Sequence, residues 1–120
     1  MTAPGNWATR LVPACQELAD TLTAAGVPAT LDRSRLKLPG AWITPGTARA
    51  HTLAGRGRAR ADVLLVVAQS NDLESLTALG GLLATALTVL TPDGDVDTSV
   101  VLPIGNNALP AFRLPVNLYL

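Results

Sequence analysis

Few residues of this chain are equipped for chemistry. One imidazole, His51, and one thiol, Cys15, stand in 120 residues, with no Cys/His set spaced for a metal. Asp93, Asp95 and Asp97 alternate in PDGDVD, a faint likeness to a calcium loop. That stretch lacks the required glycine and the distal bidentate glutamate, so an ordinary acidic loop is expected. No Ser-His-Asp pattern with a nucleophile elbow is present, nor an acid pair in an apolar setting. The expectation is a non-enzyme with no catalytic residue, no metal and no cofactor.

What remains is RAHTLAGRGRARADVLLVV, residues 49–67. Arg49, Arg56, Arg58 and Arg60 fall within twelve residues with no acid among them, and an apolar run follows. RGRAR has neither the G-x-x-x-x-G-K-[ST] of a phosphate loop nor a G-x-G-x-x-G. Arginine is a good phosphate partner, yet no helix-turn-helix and no aromatic interleaving accompanies it. The glycine-spaced arginines read as an arm or loop over 46–60 that orders on a partner.

Charge along the chain is segregated. Residues 33–60 hold seven of the nine cationic side chains and no acid, whereas 61–112 hold six acids and no Lys or Arg. The net charge is zero, so colloidal repulsion is weak and self-association is tolerated. A basic segment of one copy meeting the acidic loop of the next makes a head-to-tail contact, which generates rings or filaments. Arg49, Arg56, Arg58, Arg60, Asp93, Asp95 and Asp97 are therefore the candidate subunit-interface residues.

These groups must be positioned by a single α+β domain spanning 1–120. With four aromatic residues, its core is built from Leu, Val, Ile and Ala. Residues 1–8 read as a flexible N-terminal arm without the features of a signal peptide. A helix is expected over about Thr9–Ala25, with Leu11, Cys15, Leu18 and Leu22 on one stripe and Gly26 ending it. Short extended pieces follow, with Pro39-Gly40 and Pro45-Gly46 as turns and AWIT between them. Val63–Val67 is a strand covered on both faces. Asn71 starts a second helix with capping-box spacing to Glu74, and Leu73, Leu76, Leu83, Leu87 and Leu90 form its expected buried stripe. Gly80-Gly81 in that helix is either a close contact, with sheet or neighbour, or a weak spot. The apolar stretch from Leu76 to Leu90 is too short and too broken to span a membrane. Two strands, Thr98–Ile104 and Ala108–Leu120, close the chain through a GNN turn. Pro115 places the last strand at an edge or interrupts it. The layout expected is one antiparallel or mixed sheet with both helices packed on one face, plus an extended arm or hairpin.

In order, spacing and length the chain resembles the small tail terminator (tail completion) proteins of long-tailed phages, especially those of actinobacterial hosts. The likeness is carried by LVPACQELADTLTAAGVPATLD, LPGAWITPG, ADVLLVVAQSND, LESLTALGGLLATAL and the closing FRLPVNLYL, in an Ala/Leu/Arg/Asp/Gly-rich composition. The resemblance implies an α+β subunit without catalysis that forms a ring, commonly a hexamer. Such a ring caps the tail tube, stops its growth and offers the surface on which the filled head docks. Its partners would be itself, the tail-tube protein and a head-completion or adaptor protein, with DNA passing through unread. The location implied is the head-proximal end of the virion tail, assembled in the host cytoplasm. A head-closure adaptor, or a small nucleic-acid-binding protein using Arg33–Arg60, are the alternatives.

Overall fold

The computed structural model describes residues 6–50, 57–68, 71–104 and 107–120. After a 3-10 turn at Asn6–Arg10, helix α1 runs Leu11–Ala24. Pro13 sits in its first turn, where no backbone donor is needed. Cys15, Leu18, Ala19 and Leu22 are buried along one stripe, as the spacing predicts. The helix ends in a Schellman arrangement: Gly26 adopts φ 105° and Val27 N–H donates to the Leu22 carbonyl at 2.9 Å. The expected arm over 1–8 lies partly outside the described residues, and 6–8 belong to the 3-10 turn.

Five strands form one mixed sheet: β1 (Ala29–Thr30), β2 (Gly40–Ala50), β3 (Gly57–Val66), β4 (Asp97–Ile104) and β5 (Asn107–Tyr119). Their spatial order is β1-β2-β3-β5-β4. Strand β1 is parallel to β2, and the other neighbours are antiparallel. Helix α2 (Asp72–Ala86) connects β3 to β4, and β5 then inserts between those two strands. Asn71 caps α2, its Oδ1 accepting from Glu74 N–H at 2.8 Å.

The main core lies between the sheet and both helices. Ile43, Ala61, Val63, Leu65, Leu114 and Val116 of the sheet meet Cys15, Leu22, Leu79 and Ala86. Residues 64 and 66 point the other way, into a second cluster with Leu102, Leu109 and Ala111. Val63–Val67 is therefore buried on both faces. Leu36 and Trp42 cover part of the second face. Trp42 Nε1–H donates to the Leu31 carbonyl at 3.1 Å and so ties the 31–36 segment across it.

Two expectations are corrected and one holds locally. Pro45-Gly46 is not a turn but a bulge inside β2, where the register jumps from Pro45↔Ala61 to Ala48↔Ala59. Pro115 does not end β5, and β5 as a whole is an inner strand, but at Pro115 its second side is an edge. Its missing donor faces away from β3, past the point where β4 begins opposite Arg113. On that side its carbonyl accepts from Asp93 N–H at 2.7 Å.

The third concerns α2, which buries Ser75, Leu79 and Ala86, followed by Leu90 beyond its end. Leu73, Leu76 and Leu87 are exposed. A β-carbon on Gly80 or Gly81 would meet nothing within 4 Å, so no close packing against the sheet requires either glycine. Gly80→Ala and Gly81→Ala are each expected to stabilise the domain by roughly 0.5–1 kcal/mol, because glycine is a poor helix former. Thermal unfolding should show the midpoint rising by a few degrees.

Candidate interaction surface

The paired ends of β2, β3 and β5 form a three-stranded stem. The molecule measures 55 × 29 × 24 Å. Gly57 and Leu120 exchange backbone hydrogen bonds at 2.8 and 3.2 Å, so β5 accompanies β3 to the end of the described stem. The described arginines of the expected arm are therefore strand residues. Arg49 occupies β2 opposite Arg58. Arg56 and His51 lie outside the described residues.

On β3, Ala59, Ala61, Val63 and Leu65 face the helices. By alternation Arg58, Arg60 and Asp62 lie on the opposite face. Arg58 holds its guanidinium 5.9 Å from the centre of the Tyr119 ring. Arg60 is exposed and stands opposite Asn117. Among the described residues neither Arg58 nor Arg60 belongs to an ion pair. Toward the other end of this face, Arg33 lies 5.6 Å over the Trp42 ring.

The acidic residues are split. Asp93 and Asp95 are exposed in the loop that closes against the free edge of β5 at Pro115. Asp97 is engaged elsewhere. Ser99 N–H and Oγ–H both donate to its Oδ1, at 3.0 and 2.9 Å, and Arg113 reaches its Oδ2 at 3.2 Å. The Ser99 amide leads these contacts in holding the carboxyl below its usual pKa. Asp32 behaves alike, its pKa lowered first by the Ser34 hydroxyl and then by the Ser34 amide. Among the described residues no group of three His, Cys, Asp or Glu side chains could hold a metal ion. Cys15 is buried, and burial pushes its thiol pKa up. It acts as a small core hydrophobe.

A cavity of about 420 Å³ lies between α2 and the β4–β5 hairpin, lined by Ser75, Leu76, Leu79, Val101 and Pro110 among others. Its mostly apolar wall carries one carboxylate, Asp72, and the hydroxyls of Ser75 and Thr98. The structure thus brings Arg58 and Arg60 together on one face of the stem, places Arg49 opposite Arg58 in the register, sets Asp93 and Asp95 on the far flank, and ties Asp97 to Ser99 and Arg113. Two contributors carried no local signal. Tyr119 becomes the platform for Arg58 only through the β3–β5 register, and Arg33 meets Trp42 only through the loop that crosses the sheet. No family model matches the chain, and no curated protein or solved structure is significantly similar to it.

Proposed function

We propose that this chain is a non-enzymatic structural subunit that closes head to tail into a ring, the tail terminator that caps a phage tail tube and receives the head. One observation carries the reading: along the stem β2 and β5 each have a side with no strand partner among the described residues, β2 being an arginine-bearing strand and β5 lying beside the acidic loop. On one flank β1 pairs only with Ala41 and Trp42, so β2 beyond them has no strand on its outer side among the described residues. Arg49 is a residue of that strand, opposite Arg58 in the register. On the other flank, β5 runs past the start of β4, and the loop with Asp93 and Asp95 lies along it. The arginine-bearing strand of one copy fits the acidic flank of the next. A contact between unlike surfaces propagates until rotation closes it. Charge complementarity then sets register more than affinity.

Light scattering coupled to size exclusion, at rising protein concentration, tests this. A species near six times the 12.4 kDa protomer mass is expected. Asp93→Lys combined with Asp95→Lys should leave a folded monomer, because both side chains are exposed and the Asp93 contact to Pro115 uses backbone. A wild-type chain that stays monomeric and ignores tail-tube protein refutes the ring. Normal rings from the double variant would remove the acidic loop from the contact.

A further inference from the structure

We propose that the stem face turned away from the helices binds the phosphate backbone of duplex DNA without reading its sequence. The inference goes beyond the ring reading and does not rest on it, since one protomer holds the whole surface. Arg58 and Arg60 are two residues apart on one strand face, a separation of roughly 7 Å. Arg49 stands opposite Arg58 in the register. Among the described residues no carboxylate pairs with Arg58 or Arg60. Arg33, over Trp42 toward the other end of the face, extends the row of cations to roughly 20 Å. A long, regularly charged polyanion matches such a row.

The acidic surfaces of a second copy match it less well. Asp97 is already held by Ser99 and Arg113, and the free pair, Asp93 and Asp95, lies on a flank that meets an edge rather than a broad face. Duplex is favoured over single strand by the aromatic residues. Unstacked bases need open rings, and the rings of Trp42 and Tyr119 each carry an arginine. What is left is contact with backbone phosphates, which carries no sequence information. Two carboxylates on this face oppose binding: Asp97, opposite Arg113 and ion-paired with it, and Asp62. Asp62, the next residue on this face beyond Arg60, faces Thr44 and Pro115 in the register and would repel a nearby phosphate.

The test is fluorescence anisotropy of the full chain with a labelled duplex of about 20 base pairs, titrated from about 50 to about 200 mM salt. Two or three neutralised phosphates give a log–log salt slope of about −2 to −3. Arg58→Gln with Arg60→Gln should flatten the slope by about 2 and weaken binding at low salt by about tenfold or more. Arg58→Lys with Arg60→Lys should keep the slope, which separates lost charge from a disturbed fold. Asp62→Asn should tighten binding. The Asp93→Lys/Asp95→Lys protein should still bind duplex, so a failed ring and a failed DNA surface appear in different measurements. The proposal is overturned by absent binding at about 50 mM salt, by a Gln variant that binds like wild type, or by a single strand of equal length binding more tightly than the duplex. It is equally overturned if the Gln variant loses self-association and keeps DNA binding, which would assign the arginines to a second copy.

Discussion

Leu65→Ala is expected to lower the unfolding free energy by about 2–5 kcal/mol, while Leu73→Ala changes it by less than about 0.5 kcal/mol. Leu65 is 0% exposed on the central strand, opposite Ala41 and Phe112. Hydrogen-bonded strands on both sides fix the backbone there, so the space left by three lost carbons does not close by collapse. Leu73 is 75% exposed on the first turn of α2. Removing it takes away little buried area, and alanine is the better helix former. For a domain of this size total stability is about 6–18 kcal/mol. The first variant therefore loses a large share of it, and the second almost none. Urea unfolding followed by circular dichroism should show the Leu65→Ala midpoint falling by about 0.7 M or more, given slopes of about 1–3 kcal/mol per M. A large loss at Leu73 with a small one at Leu65 would mean that α2 packs through its other face.

That comparison separates what periodicity conveys from what it does not. Stripes that stand alone are legible: Leu11, Cys15, Leu18 and Leu22 are flanked by Gln16, Glu17 and Asp20, so one face of α1 is unambiguous. Capping is legible too, because Asn71 and Glu74 interact across three residues of chain. Helix α2 defeats the same reasoning. From Ser75 to Leu90 it has no charged residue, and leucine recurs at 76, 79, 82, 83, 87 and 90. An apolar pattern all round supports several faces equally. The sheet selects the face that includes Ser75 and Ala86, whose small side chains let the helix approach.

Neighbour relations between strands were hidden for a different reason. Alternation in β5 correctly places Phe112, Leu114, Val116 and Leu118 on the core face. It says nothing of which strand lies alongside, and β5 inserts between β3 and β4 rather than following β4 outward. That insertion brings Tyr119 beneath Arg58, Asn117 beside Arg60 and Arg113 onto Asp97. The segregation of charge along the chain was visible, but its meaning was set by topology. Arg58 and Arg60 came to rest on a broad face, and the acidic loop lies alongside the same stem instead of at the far end of the molecule.

Gly46→Ala should destabilise the domain by about 1–3 kcal/mol, opposite in sign to the same substitution at Gly80. Between Pro45↔Ala61 and Ala48↔Ala59, two residues of β2 oppose the single residue Arg60. The bulge brings the backbone of Gly46 so near that an added β-carbon would stand 2.8 Å from the Arg60 carbonyl oxygen. That oxygen belongs to a strand paired on its other side with β5, so no rotamer change relieves the contact. Either β2 moves outward or the bulge re-registers, and both outcomes shift Arg49 relative to Arg58. At Gly80 the added methyl meets open space and gains helix propensity instead. Thermal unfolding of the two variants side by side checks the sign. Hydrogen exchange at the amides of 57–61 should quicken in Gly46→Ala alone. If the bulge sets the stem's arginines, duplex affinity falls in that variant and is unchanged in Gly80→Ala. Equal stability and equal exchange in both would mean that the stem tolerates a side chain at its closest backbone approach, and the bulge would lose its role in positioning Arg60.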